Sequence, residues 1–140
     1  MDTRRLVLVV DDLPSDRKRI KTWLEEDGFA VKTASEYDSA LKAIAERMPS
    51  IICVDLTLPR ESGLDLVETV RMKWGRQAVP IIVMSEKHSP EVMADAERVG
   101  ANAFLKKPFT GPTLVKYVRF MLDGPNASRP SVRRLQPTDD

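Results

Sequence analysis

The chain has one cysteine, one histidine, almost no net charge and no long apolar run, and each scarcity removes a class of function. Cys53 has no partner for an internal disulfide, and it sits inside the apolar run Ile51-Ile52-Cys53-Val54, as a small core residue in a reducing compartment would. His88 has no second histidine for a metal set and no companions for a nucleophilic triad, so it reads as a loop residue. With 22 Lys and Arg against 21 Asp and Glu, the net charge of +1 creates no field that would draw the protein to nucleic acid or acidic lipid. Direct DNA reading is therefore not expected. No apolar stretch approaches the roughly 18 residues a membrane span needs, and "MDTRR" leads into only five apolar residues, so membrane insertion is not expected and a cytoplasmic location is.

What the chain does have is five short, mostly β-branched runs: Leu6 to Val10, Ala30 to Ala34, Ile51 to Val54, Ile81 to Met84, and Ala103 to Leu105. Four are nearly continuous rather than alternating, as strands covered on both faces should be, whereas "AVKTA" at 30 to 34 is more polar and reads as an edge. Helical patterns lie between them. Ile20, Trp23 and Leu24 share a face in the segment from Pro14 to Asp27, and Ser35 with Asp38 resembles a capping box for a helix carrying Leu41, Ile44 and Ala45. Gly63, Pro90 and Pro112 mark the starts of three more helices. Five βα units in succession predict an α/β fold with a parallel sheet and helices on both faces. After Leu122 the pattern dissolves into "DGPNASRPSVRRLQPTDD". The expected organisation is one domain over residues 1–122 and a disordered tail over 123–140.

Ligands of an open parallel sheet sit beyond the carboxyl ends of its strands. There the first run delivers Asp11 and Asp12, the third Asp55, the fourth Ser85 and the fifth Lys107. Adjacent carboxylates repel in a poorly solvated site unless a cation offsets them. Hard oxygens from Asp12 and Asp55 suit Mg²⁺, with Mn²⁺ as a substitute, and a carboxylate can itself accept a phosphoryl group. Lys107 and the metal would neutralise charge on that group, and Ser85 can donate a hydrogen bond to it.

The residues that carry this chemistry, "DD" at 11 and 12, "VDLTLPRESG" from 54 to 63, "IIVMS" from 81 to 85 and "KPF" from 107 to 109, resemble the receiver domain of bacterial two-component response regulators over residues 5 to 122. The resemblance implies a flavodoxin-like, doubly wound (βα)5 fold with strand order 2-1-3-4-5. It implies Asp55 as phosphoacceptor, Asp12 as a direct Mg²⁺ ligand, Asp11 as a ligand through water, and the backbone carbonyl of Thr57 as a further oxygen. Lys107 would pair with Asp55 or its phosphate, and the Lys107–Pro108 bond would be cis. Ser85 would move toward the phosphoryl group and let the aromatic at 104, here Phe104, swing inward. The partners implied are a sensor histidine kinase or phosphotransfer protein and an unidentified downstream protein at residues 90–122, with the domain a monomer or weak dimer.

Glu86 departs from the small residue usual in the family and would narrow the mouth of the site or repel a donor. Thr57 and Lys87 occupy positions that tune hydrolysis of the acyl phosphate. "GANAF" lacks an acidic residue common in receivers that dimerise through the fourth helix, fifth strand and fifth helix. Two other readings share some of these residues. A pseudo-receiver would dock without being phosphorylated, and Glu86 suits it. A haloacid dehalogenase-like phosphohydrolase would need a second aspartate where this chain has Thr57, so the domain is expected to be a signalling switch rather than an enzyme, with only its own phosphorylation and dephosphorylation at Asp55.

Overall fold

The computed structural model describes residues 2–124. Strands β1 (Leu6–Val10), β2 (Ala30–Ala34), β3 (Ile51–Asp55), β4 (Ile81–Ser85) and β5 (Ala103–Lys106) alternate with helices α1 (Pro14–Glu26), α2 (Tyr37–Glu46), α3 (Gly63–Trp74), α4 (Pro90–Val99) and α5 (Gly111–Asp123). The strands form one parallel sheet in the order β2-β1-β3-β4-β5, as expected. The more polar "AVKTA" is indeed an edge strand. Helix α5 runs through Asp123, whose carboxylate pairs with Arg5 at 2.7 Å. The rest of the expected tail, from residue 125, lies outside the described residues.

Successive strand residues face opposite sides, so each strand feeds two cores. Val7 and Val9 of β1 join Ile20 and Leu24 of α1 and Leu114 and Val118 of α5, while Leu8 and Val10 join the side covered by α2, α3 and α4. With both faces buried, continuous apolar runs are the sequence such strands require. Between β1 and β3 the strand order reverses, and the crevice opens there.

Two local details differ from the expectation or were absent from it. Helix α2 begins at Tyr37, not after Ser35: Glu36 is the cap, and its N–H donates to Ser39 Oγ at 3.3 Å. The box is shifted by one residue because Ser39, not Asp38, lies one turn beyond the extended residue. Arg71 of α3 is buried, and its guanidinium donates to the Gly100 carbonyl (3.0 Å) and to Asn102 Oδ1 (2.9 Å). Asn102 Oδ1 also accepts the Ile81 N–H at 2.8 Å, so one amide oxygen ties α3 to the start of β4.

Cys53 lies in β3 between Val9 and Ile82 on the neighbouring strands and has no exposed surface. Burial pushes its thiol up to about 12, so almost no thiolate exists near neutrality. Native protein at pH 8 is expected to resist iodoacetamide over an hour and to react fully in denaturant; labelling as fast as a free thiol would contradict the central position of β3.

Candidate functional site

Four strand ends supply the site because parallel strands in register terminate together. Val10 is level with Val54, Asp55 with Met84, and Ser85 with Lys106, so Asp11, Asp55, Ser85 and Lys107 emerge at one edge of the sheet. Asp12, Asp55, Thr57, Ser85, Glu86, Lys87 and Lys107 line a cavity of about 280 Å³ there.

Lys107 is its electrostatic centre. The ammonium donates to Asp11 Oδ2 and Asp55 Oδ2, each at 3.0 Å, and to Asp16 Oδ2 at 3.2 Å. The remaining oxygens of the two strand-end acids are held by backbone: Asp11 Oδ1 accepts the Leu13 N–H (3.0 Å) and Asp55 Oδ1 accepts the Thr57 N–H (2.9 Å). Arg17 donates to the Asp11 carbonyl at 2.6 Å, locking the first turn of α1 to the end of β1. These bonds fix the carboxylate planes before any ligand arrives, which is the preorganisation that charge-stabilising sites depend on.

Burial pushes the Asp55 carboxyl above its ordinary value, with the Thr57 N–H and Lys107 opposing the rise and the Asp11 charge adding to it. Burial by itself lowers Lys107, but its bonds to Asp55 and Asp11 outweigh this and hold the ammonium above its ordinary value. The lysine is therefore charged throughout the physiological range.

One carboxylate oxygen from each of Asp11, Asp12 and Asp55 lies within 4.8 Å of the other two. That is a set of hard oxygen donors such as Mg²⁺ prefers, and the site fits a divalent cation of that class. Ser85 is buried, and its Oγ accepts the Lys87 N–H at 2.9 Å, which leaves its own proton available to an oxygen in the cavity. The Lys107–Pro108 peptide is cis. Glu86 and Lys87 are exposed at the mouth. Phe104 has 0% exposure and packs in the core beneath α3 and α4. The aromatic ring is thus turned inward in this structure; a phenylalanine has no hydroxyl to keep in water.

Sequence reasoning placed all the strand-end groups but missed Asp16. It is five residues beyond Asp11 and 91 from Lys107, and as the third residue of α1 it looks like an ordinary acid in a helix's first turn. The only signal was helical phase: Asp16 precedes the buried Ile20 by four residues and so shares its side of α1.

The family model for the response regulator receiver domain matches residues 7–119. The transcriptional regulatory protein KdpE of Mycobacterium tuberculosis is 36% identical over 104 residues, covering 74% of this chain and 45% of that protein. The nitrogen assimilation regulatory protein NtrX of Azorhizobium caulinodans is 33% identical over 111 residues, covering 78% of this chain and 24% of that protein. The chain spans about half the length, or less, of these curated relatives. Among solved structures, the chemotaxis protein CheY4 of Vibrio cholerae superposes with a TM-score of 0.82 at 32% identity, covering 86% of this chain and 100% of that one. A model match over most of the described residues, on the same five-stranded architecture, means that the chain belongs to the receiver domains of two-component response regulators, which are phosphoacceptor switches.

Proposed function

We propose that Asp55 accepts a phosphoryl group from a phosphorylated histidine of a sensor kinase or phosphotransfer protein. The observation that carries this reading is the pairing of Asp55 Oδ2 with the Lys107 ammonium at 3.0 Å inside a cavity that Ser85 also lines. An Asp55 oxygen forms the new bond to phosphorus as the bond from phosphorus to the donor nitrogen breaks, and the bonding pair leaves with that nitrogen. Lys107 neutralises the oxygens of the transferring group, where phosphoryl-transfer catalysis mainly lies. Ser85 donates a hydrogen bond to one of them. Asp11, through water, Asp12, Asp55 and the Thr57 carbonyl would hold Mg²⁺, which supplies further neutralisation of charge. Thr57, Glu86 and Lys87, at the mouth, tune access and hydrolysis.

The phosphorylated domain passes its state to an unidentified downstream partner through α4, β5 and α5. Phe104 is already inward, so no inward swing of that ring is left to make; the movement of Ser85 toward the phosphoryl group biases that surface, and a coupling of about 1–3 kcal/mol would change partner affinity roughly 5- to 150-fold. Among the described residues no helix is long and apolar enough to cross a membrane. A cytoplasmic domain that meets its kinase and its target by diffusion fits that finding. A phosphorylation-independent docking module is the second reading, favoured by the exposed carboxylate of Glu86 at the mouth.

Intact mass after incubation with acetyl phosphate and Mg²⁺ decides between them. The expected result is a single phosphoryl adduct, absent in Asp55→Asn and absent when the metal is chelated. No adduct on the wild type would leave the docking module, and an adduct persisting in Asp55→Asn would move the phosphoacceptor elsewhere.

A further inference from the structure

An ammonium has three N–H donors, and in Lys107 each is matched to a carboxylate: Asp11, Asp55 and Asp16. Nothing is left for a phosphoryl oxygen. For Lys107 to bind one, a bond must be exchanged, and the three are not equivalent. Asp11 and Asp55 arrive from buried strand ends, with side-chain exposures of 0% and 8%, and a carboxylate so enclosed is costly to leave without its cation. Asp16 stands at the mouth of the cavity with 18% side-chain exposure and makes the longest of the three bonds. Its other oxygen already accepts from Arg19 at 2.9 Å, so it retains a cationic partner when Lys107 turns away.

We propose that Asp16 is a positioning residue that occupies the third proton of Lys107 in the resting domain and yields it to the incoming phosphoryl oxygen. Asp16 thereby sets how strongly anionic donors are held. Competition acts twice, through the occupied donor and through like charge beside the incoming dianion. This inference rests on Asp55 being the phosphoacceptor, and it adds a residue on α1 whose part in the site is set by a contact made only in the folded chain.

The test is the dependence of the Mg²⁺-supported phosphorylation rate on acetyl phosphate concentration, followed by intact mass for wild type, Asp16→Ala and Asp16→Glu, with Asp55→Asn as the blank. Asp16→Ala removes the acceptor at a position where alanine suits the helix. Its half-saturating concentration is expected to fall about fivefold, the scale of one partly exposed ion pair, while the limiting rate stays within about twofold. The difference should narrow in high salt, as a charge effect at the cavity mouth must. Asp16→Glu, which keeps the carboxylate, should stay near the wild-type value. An unchanged half-saturation in Asp16→Ala, or an equal shift in Asp16→Glu, overturns the assignment. If the wild type itself gains no Asp55-dependent adduct, the phosphoacceptor reading fails, and this inference falls with it.

Discussion

Lys107→Ala is expected to destabilise the metal-free domain by about 3–5 kcal/mol at pH 7, the usual cost of removing one partner from a buried charge pair. The ammonium is the shared counter-ion of Asp11, Asp16 and Asp55, and the side chains of Asp11 and Asp55 have 8% exposure or less. Removing it leaves like charges facing each other at the end of the sheet. The pH dependence follows from the signs of the shifts. Lys107 is held above its ordinary value of 10.5, so its stabilising contribution is complete below that pH and is lost as pH rises through the higher folded value. Asp55 is also raised from its ordinary 3.8, so ionising it disfavours folding: the penalty is absent below that value and grows as pH rises through the folded one. Without the lysine, which opposes the rise, Asp55 rises further. The deficit relative to wild type should therefore be largest near neutrality and should shrink below about pH 4, where carboxylates protonate in either state. Urea titrations of both proteins at pH 7 and pH 4 in EDTA measure this. A difference under about 1 kcal/mol at pH 7, or one unchanged at pH 4, would show that the three carboxylates do not depend on the lysine. Added Mg²⁺ should stabilise the variant more than the wild type, because a ligand of the native state acts most where its carboxylates lack another cation.

Gly63→Ala is expected to cost about 1–3 kcal/mol and to slow phosphorylation by roughly 100-fold. A Cβ on Gly63 would lie 2.3 Å from the Asp55 carbonyl oxygen and 2.8 Å from the Leu56 Cα. Both are backbone atoms, so no side chain can rotate away. Gly63 is the first residue of α3, and its N–H donates to the Leu56 carbonyl at 2.9 Å, so the helix starts directly against the backbone of the expected phosphoacceptor. A methyl group there must push the helix back or displace Asp55, and a displacement of about 1 Å in a site that works by alignment has a large kinetic cost. Ser62→Ala separates the two effects. Ser62 Oγ accepts the Asp65 N–H at 3.2 Å, so its loss should cost about 1 kcal/mol of helix capping while leaving the phosphorylation rate near wild type. If Gly63→Ala is phosphorylated as fast as wild type, the contact is not what positions Asp55.

The acids and the lysine were legible because each follows a strand that a continuous apolar run announces. Once Leu6–Val10, Ile51–Asp55 and Ala103–Lys106 are recognised as buried parallel strands, the residues at or just beyond their ends must emerge together at the carboxyl edge. The cap of α2 was less legible, since Ser35 has the residue type a cap prefers and Glu36, which takes the position, does not. Phe104 was identifiable by position, but its orientation was not, because an aromatic at a strand centre can be accommodated inward or outward according to the room beneath α3 and α4.

The sequence by itself determined the five βα units, the edge character of β2 and the convergence of Asp11, Asp55, Ser85 and Lys107, because these follow from periodicity, chain breakers and the shared polarity of parallel strands. Tertiary structure alone decided that Asp16 takes the third bond of Lys107 and that Arg71 joins Gly100 to Asn102. Those contacts link groups 29 to 91 residues apart, across the faces of different elements. No local pattern encodes them; they depend on the angle and rotation with which each helix settles on the sheet, which packing of the whole core sets.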